Sequence, residues 1–401
     1  MNRGPTSGTD VLDQQGGGAL SRAAWVGAVL GIAGLGAALA LSAEAMRHFY
    51  FAWLVAYLYF LSIALGSLFF VLCTFVCRAG WSVAVRRLLE NAMATMPMFA
   101  LLFVPIYIGR HEIFVWTDAA EVAKHPVLQG KSAYLNEGFF LARALFYLVS
   151  WCALAVYFSR QSQLQDETGD ERITRRLQAV AAPGLILFAL TVTFAAIDWI
   201  MSLEPEWYST IFGVYYFTGS VLASFAFLVL AIAWIRARGR LGGIVTIEHI
   251  HDLGKLLFGF TVFWAYIAFS QYFLIWYGNI PEETAYYMHR SHGSWAAMGK
   301  VLIFGHFVVP FFFLMPRAVK RSVPLLVSAA VWLLIMHFAD VYWCVMPVYS
   351  ADGARVGAVD VAALLAVGGF FMAAFGWISS RRALVPVGDP RLEESLSFEN
   401  V

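Results

Sequence analysis

Charge is what this sequence is short of. Only 13% of its 401 residues are Asp, Glu, Lys or Arg, about half the share found in an ordinary soluble domain. A chain so poor in charge cannot clothe a soluble globule. Cysteine is scarce too. Cys73, Cys77, Cys152 and Cys344 all fall within apolar runs, which excludes a disulfide framework. Their spacing spells neither a c-type haem attachment nor an iron–sulfur ligand set. The period-2 alternation of an outer-membrane barrel is missing, and a net charge of +1 gives no footing for nucleic acid. What remains is a chain that is 60% hydrophobic, built from repeated apolar runs of about 20 residues or more, the length that crosses a bilayer. Backbone groups in hydrocarbon must be satisfied within their own segment, so these runs are helices. The fold class is an all-α integral membrane protein.

Ten spans are expected: 24–43, 50–77, 91–109, 138–159, 180–203, 210–235, 254–278, 296–316, 323–346 and 357–379. Residues 1–22 read as a disordered polar tail and 381–401 as a second, mobile one. The first run is too long for the 7–15-residue core of a signal peptide, so it is expected to be retained. Gly27, Gly31 and Gly34 give it a small-residue face for a neighbouring helix. Pro97 and Pro105 are expected to kink the third span. An acidic connection, with Asp198 just before it and Glu204 and Glu206 within it, is the waist between two bundles, about 50–203 and 210–346.

Basic residues set the expected orientation. Alternate connections hold Arg78, Arg86 and Arg87; Arg160, Arg172, Arg175 and Arg176; Arg236, Arg238 and Arg240; and Arg317, Lys320 and Arg321. With the tails this side carries 18 of 27 Lys and Arg residues. The opposite side carries only six, so both termini are expected in the cytoplasm.

Depth then ranks the polar residues. With a rise of about 1.5 Å per residue, Asp198 lies roughly 27 Å along its span, at the outer edge, and Arg143 only about 7 Å deep. His337 and Asp340 fall in the outer third and His306 near the midplane. Lys300 is shallow. An ionisable group inside a span is a site hypothesis by default. Asp198, His306, His337 and Asp340 are therefore the candidate proton path or quinol site, with Arg143 and Lys300 as supporting charges. His337 and Asp340, three residues apart, share a helix face and form either an acid/base couple or a buried tie between helices. Arg143 reads as the neutraliser of Asp198 or of another outer acid rather than as a substrate-binding group. Tyr215, Tyr216, Tyr272, Trp276 and Tyr277 read as packing or interfacial aromatics. The inner cluster of Glu90, Glu248, His249, His251, Asp252 and Lys255 reads as groups that snorkel to the interface.

Three stretches resemble a known family. They are HDLGKLLFGFTVFWAYIAFSQYFLIWYGNIPEE from His251 to Glu283, DWIMSLEPEWYSTIFGVYYF from Asp198 to Phe217, and LGSLFFVLCTFVCRAGWSVAVRRLLEN from Leu65 to Asn91. Each is similar to the ActF subunit of bacterial alternative complex III, an NrfD-like membrane protein, and the similarity runs from about Arg47 to Arg321. The resemblance implies ten helices in two four-helix bundles, spans 2–5 and 6–9, flanked by spans 1 and 10. It also implies a place in the bacterial cell (inner) membrane, as a subunit of a quinol:electron-acceptor oxidoreductase. Quinol is then a possible ligand, and no cofactor sits in this chain. The haem c groups and iron–sulfur clusters sit on partner subunits, beside a related ActC-type membrane subunit. Family naming calls this subunit quinone-binding, whereas the resemblance implies that the related ActC-type subunit is the better-supported quinol oxidiser and that this one more often supplies a proton route or a scaffold. No family motif assigns a catalytic residue, so the site residues rest on depth alone. Two other readings stay open: a non-catalytic structural anchor, and a secondary transporter, whose matched helix breaks in two halves are not evident here.

Overall fold

The computed structural model describes residues 17–400; the greater part of the expected N-terminal tail, residues 1–16, and Val401 lie outside the described residues. Ten helical segments are long and apolar enough to cross a membrane. They are α1 (Gly17–Leu41), α2 (Met46–Val76), α3 (Gly80–Ile108), α4 (Glu137–Thr168), α5 (Glu171–Leu203), α6 (Phe212–Arg236), α7 (Ile247–Gly278), α8 (Gly293–Leu314), α9 (Val323–Val348) and α10 (Ala358–Ser380). No strand occurs among the described residues. Every expected span has its helix.

The ends differ from expectation, and each difference has a local cause. Residues 17–22, expected in the tail, form the first turns of α1, with Leu20 buried. α4 and α5 run on through the 160–179 connection and turn only at Gly169, whose φ of +64 suits a residue without a Cβ. At about 1.5 Å per residue they outrun a 30 Å hydrocarbon layer by more than 10 Å. α7 starts at Ile247, where the Thr246 side chain and the His249 ring cap its first turn reciprocally. α3 is interrupted at Ala94–Thr95 and again at Phe103, two residues before Pro97 and Pro105, because each proline lacks the N–H that would continue the ladder.

α2 and α6 are the most buried helices and pack against each other at the centre. Gly66 lets them approach: a Cβ there would meet the Ser220 backbone and the Ser224 side chain. Ser67 and Ser224 share a hydrogen bond of 3.0 Å across the contact. Without a hydrophobic drive between helices in lipid, such close backbone packing and polar pairing hold the centre. α1 lies along α10 by the same device. A Cβ on Gly34 would sit 2.6 Å from the Ala366 amide nitrogen, and one on Gly27 2.7 Å from that of Ala373. Gly34→Leu is therefore expected to push α1 off α10 at a cost of about 1–3 kcal/mol. Weakened disulfide cross-linking between introduced cysteines on the two helices would report it.

The C-terminal segment corrects a second expectation. Residues 381–400 are docked against the basic ends of the helices, with Leu384, Val385, Asp389 and Ser395 buried. Arg382 donates to Ser159 Oγ at 2.7 Å, Gly388 N–H to Asp166 at 3.0 Å, and Arg86 to Asp389 at 2.7 Å. Ser395 accepts from the Ala84 amide at 3.0 Å and donates to the Trp81 carbonyl at 2.6 Å. Its hydroxyl also lies 3.2 Å from His249 Nε2. The segment thus straps the start of α3 and the end of α4 to the start of α7. Arg86, Arg87 and Glu90 do not snorkel; they are buried within α3 and paired with one another, with Asp389 and with Asp166. Hydropathy alone could not show this, because Asp166 and Asp389 come from distant parts of the chain.

Candidate functional site

Away from this strap, five helices bring polar side chains together. His337 and Asp340 lie one turn apart on α9, on the face turned to α2, α6 and α8. Asp340 is 3% exposed. One of its oxygens accepts from the Tyr215 hydroxyl of α6, the other from Trp264 Nε1 of α7 at 3.1 Å. No cation pairs with it among the described residues. His337 Nε2 lies 2.8 Å from Ser62 Oγ of α2. Its ring fits because Gly219 faces it: a Cβ there would stand 2.9 Å from Cε1.

His306 comes from α8, where residues Leu302–Val308 form a π-helical stretch. In that register the Gly305 carbonyl awaits the N–H of residue 310, which is proline and has none. Trp332 Nε1 of α9 donates to it instead, at 2.7 Å. The widened turn sets the fully buried His306 ring 3.9 Å from the Trp264 ring and 6.5 Å from that of His337, centroid to centroid. Among the described residues neither ring nitrogen of His306, nor Nδ1 of His337, has a hydrogen-bond partner.

A cavity of about 1000 Å³ lies against this cluster, between α7 and α8. That is the upper end of the range for small-molecule sites. Its walls are mostly apolar, and Tyr266, Phe269 and Ile303 on its rim are exposed on the flank of the helices. Tyr215 and Trp264 form its inner wall. Gln271 lies nearer the loops and holds Ser209 at 2.9 Å and Tyr287 at 3.1 Å. Arg290 closes the loop end. It is buried, stacks 3.6 Å over Tyr286, donates to the Cys344 carbonyl at 3.0 Å and pairs with Glu204 at 2.6 Å. Burial opposes its charge, yet Tyr286 and Glu204 outweigh this and hold the guanidinium above its ordinary pKa.

The sequence-derived set therefore divides. The structure brings His306, His337 and Asp340 together. Asp198 stands apart: its α5 face turns to α4, where Arg143 grips both carboxylate oxygens at 2.7 and 2.9 Å and Tyr147 donates at 2.8 Å. The remaining Arg143 donor reaches the Tyr134 carbonyl at 2.8 Å, and its plane lies 3.8 Å from the Tyr134 ring. Arg143 neutralises Asp198, and the pair is closed. Among the described residues no direct hydrogen bond joins it to the histidines. Lys300 is exposed at the cavity rim, with no ion pair among the described residues.

Tyr215, Trp264 and Ser62 are site residues that sequence reasoning missed. Trp264 shares a buried stripe with Ile267, Gln271 and Ile275, at helical spacing along α7, and the glutamine within that stripe was the available signal. Tyr215 had none, since its hydroxyl acquires meaning only from Asp340, 125 residues away. Compared with known protein families and with curated proteins, the chain matches none.

Proposed function

We propose that this chain is an integral membrane subunit of a quinol:electron-acceptor oxidoreductase of the alternative complex III type, which binds quinol and receives its protons. The observation that carries the reading is the flank-opening apolar cavity whose inner wall is Tyr215 and Trp264, with Asp340 hydrogen-bonded behind both. An isoprenoid tail suits the exposed rim, and a dihydroxy head group suits the polar inner wall. Oxidation of quinol releases protons, and a carboxylate with no cation partner is a fitting acceptor. The three family-like stretches support the same reading. Electrons pass to iron–sulfur and c-type haem subunits alongside an ActC-type partner. The chain sits in the bacterial inner membrane with both termini in the cytoplasm, so the cavity faces the outer leaflet. Helix contacts are in keeping with α2–α5 and α6–α9 as two bundles, with α1 and α10 flanking.

Gly299 provides a clean test. It lines the cavity, and a Cβ there would meet only Trp343 Nε1, at 3.8 Å, so a larger side chain fills the cavity without disturbing helix contacts. Gly299→Leu in the assembled complex is expected to raise the quinol KM about tenfold or more, the effect of roughly 1.4 kcal/mol of lost binding, with assembly unchanged. Wild-type KM and kcat in this variant would remove the cavity from the mechanism. The chain would then be a structural anchor for the cofactor-bearing subunits.

A further inference from the structure

We propose that Tyr215 is the catalytic residue that meets the quinol hydroxyl and hands its proton to Asp340; this rests on reading the cavity as a quinol site. Asp340 is not on the cavity wall, and two side chains stand between it and the ligand space. Both donate to its carboxylate, one to each oxygen, but they are not equivalent. The Trp264 indole nitrogen is a donor only and has no lone pair to receive a proton. A phenol is donor and acceptor at once. With its O–H committed to Asp340 Oδ1, the Tyr215 oxygen keeps a lone pair that can accept from a ligand in the cavity its side chain lines. The same hydroxyl therefore fixes the head group and opens the route to the buried carboxylate.

The step balances without any electron transfer. The ligand O–H bond breaks and its proton bonds to Tyr215 Oη. The original Tyr215 proton moves to Asp340 Oδ1. Tyrosine is regenerated, the ligand carries one negative charge more, and Asp340 becomes a neutral carboxylic acid. Trp264 holds the second carboxylate oxygen and fixes its orientation during the transfer. The ligand class is thereby narrowed to molecules with an ionisable hydroxyl on the ring, and a fully oxidised or O-methylated quinone ring occupies the same space without starting the relay.

Tyr215→Phe keeps the ring and removes the oxygen. In the assembled complex, kcat for quinol oxidation is expected to fall about 100-fold, the lower range of general acid–base contributions, while the affinity for oxidised quinone changes less than tenfold. Infrared difference spectra on adding quinol should show a protonated-carboxyl band in the wild type, absent in Asp340→Asn and in Tyr215→Phe. Should Tyr215→Phe fail to assemble, a fluorinated tyrosine at 215 keeps both the ring and the hydrogen bond, and its turnover should follow the altered acidity of the phenol. Wild-type kcat and an intact carboxyl band in Tyr215→Phe, or turnover indifferent to fluorination, overturn the relay while leaving the cavity reading standing. A Gly299→Leu complex with wild-type quinone affinity overturns the cavity reading and the relay with it.

Discussion

Replacing Arg143 with methionine is expected to cost about 3–5 kcal/mol of stability. The figure is that for a buried ion pair from which one partner is removed, leaving the other charge stranded. Asp198 is fully buried, and its carboxylate oxygens rely on Arg143 and Tyr147. Tyr147 alone cannot offset a charge in that position. Arg143→Met paired with Asp198→Leu should recover most of the loss, because two apolar side chains leave nothing to desolvate. Thermal unfolding of the three variants in detergent measures both effects. The double variant also separates two roles. If it assembles and turns over normally, the pair is a staple between α4 and α5. Normal assembly with lost proton delivery would return Asp198 to the mechanism.

Ending the chain at Arg382 is expected to loosen the basic end of the molecule as a whole. The strap covers Arg86 with Asp389 and engages Trp81 and Ala84 of α3 and His249 of α7 through Ser395. Without it Arg86 retains Glu90 and the face of the Phe75 ring. Asp389→Ala isolates the electrostatic part, expected near the lower end of the 3–5 kcal/mol range because Glu90 remains. Protease accessibility of the segment and labelling of Ser395→Cys would both increase. The pH dependence has a definite sign. Burial by itself would raise the Asp389 pKa, but the Arg86 and Arg391 guanidiniums prevail and hold it below the ordinary aspartate value. A depressed carboxylate pKa contributes stability that is complete above the ordinary value and is lost as pH falls through the folded-state value. The Arg86–Asp389 anchor should therefore hold through neutral and mildly acid conditions and release only below the usual aspartate range. An Asp389 carboxyl that titrates at or above the ordinary aspartate value in pH-dependent infrared spectra would contradict it.

The two halves of the candidate site were unequally legible. His337 and Asp340 announce themselves, because ionisable residues in an apolar run stand out and a spacing of three puts them on one face. Asp198 announced itself equally loudly and belongs to a different cluster. Depth along a span follows from residue count, whereas azimuth relative to neighbours does not. Asp198 and Asp340 share a depth range, yet one turns toward α4 and the other toward α6 and α7. Tyr215 and Trp264 were hidden for the opposite reason. Aromatics are common at membrane interfaces, so their composition carries no signal until a carboxylate is found within reach.

The sequence by itself determined the number of helices, their order and nearly all their cores, because satisfying a backbone in hydrocarbon is a local requirement met within each segment. Local chemistry also located the α1 glycines that a close neighbour needs and the proline breaks of α3. Only the tertiary structure decided which polar groups meet, that α8 widens into a π turn around His306, that a cavity opens between α7 and α8, and that the polar C-terminus is a strap rather than a free tail. Each of those depends on partners far apart in the chain, whose pairing energies no single window of residues contains.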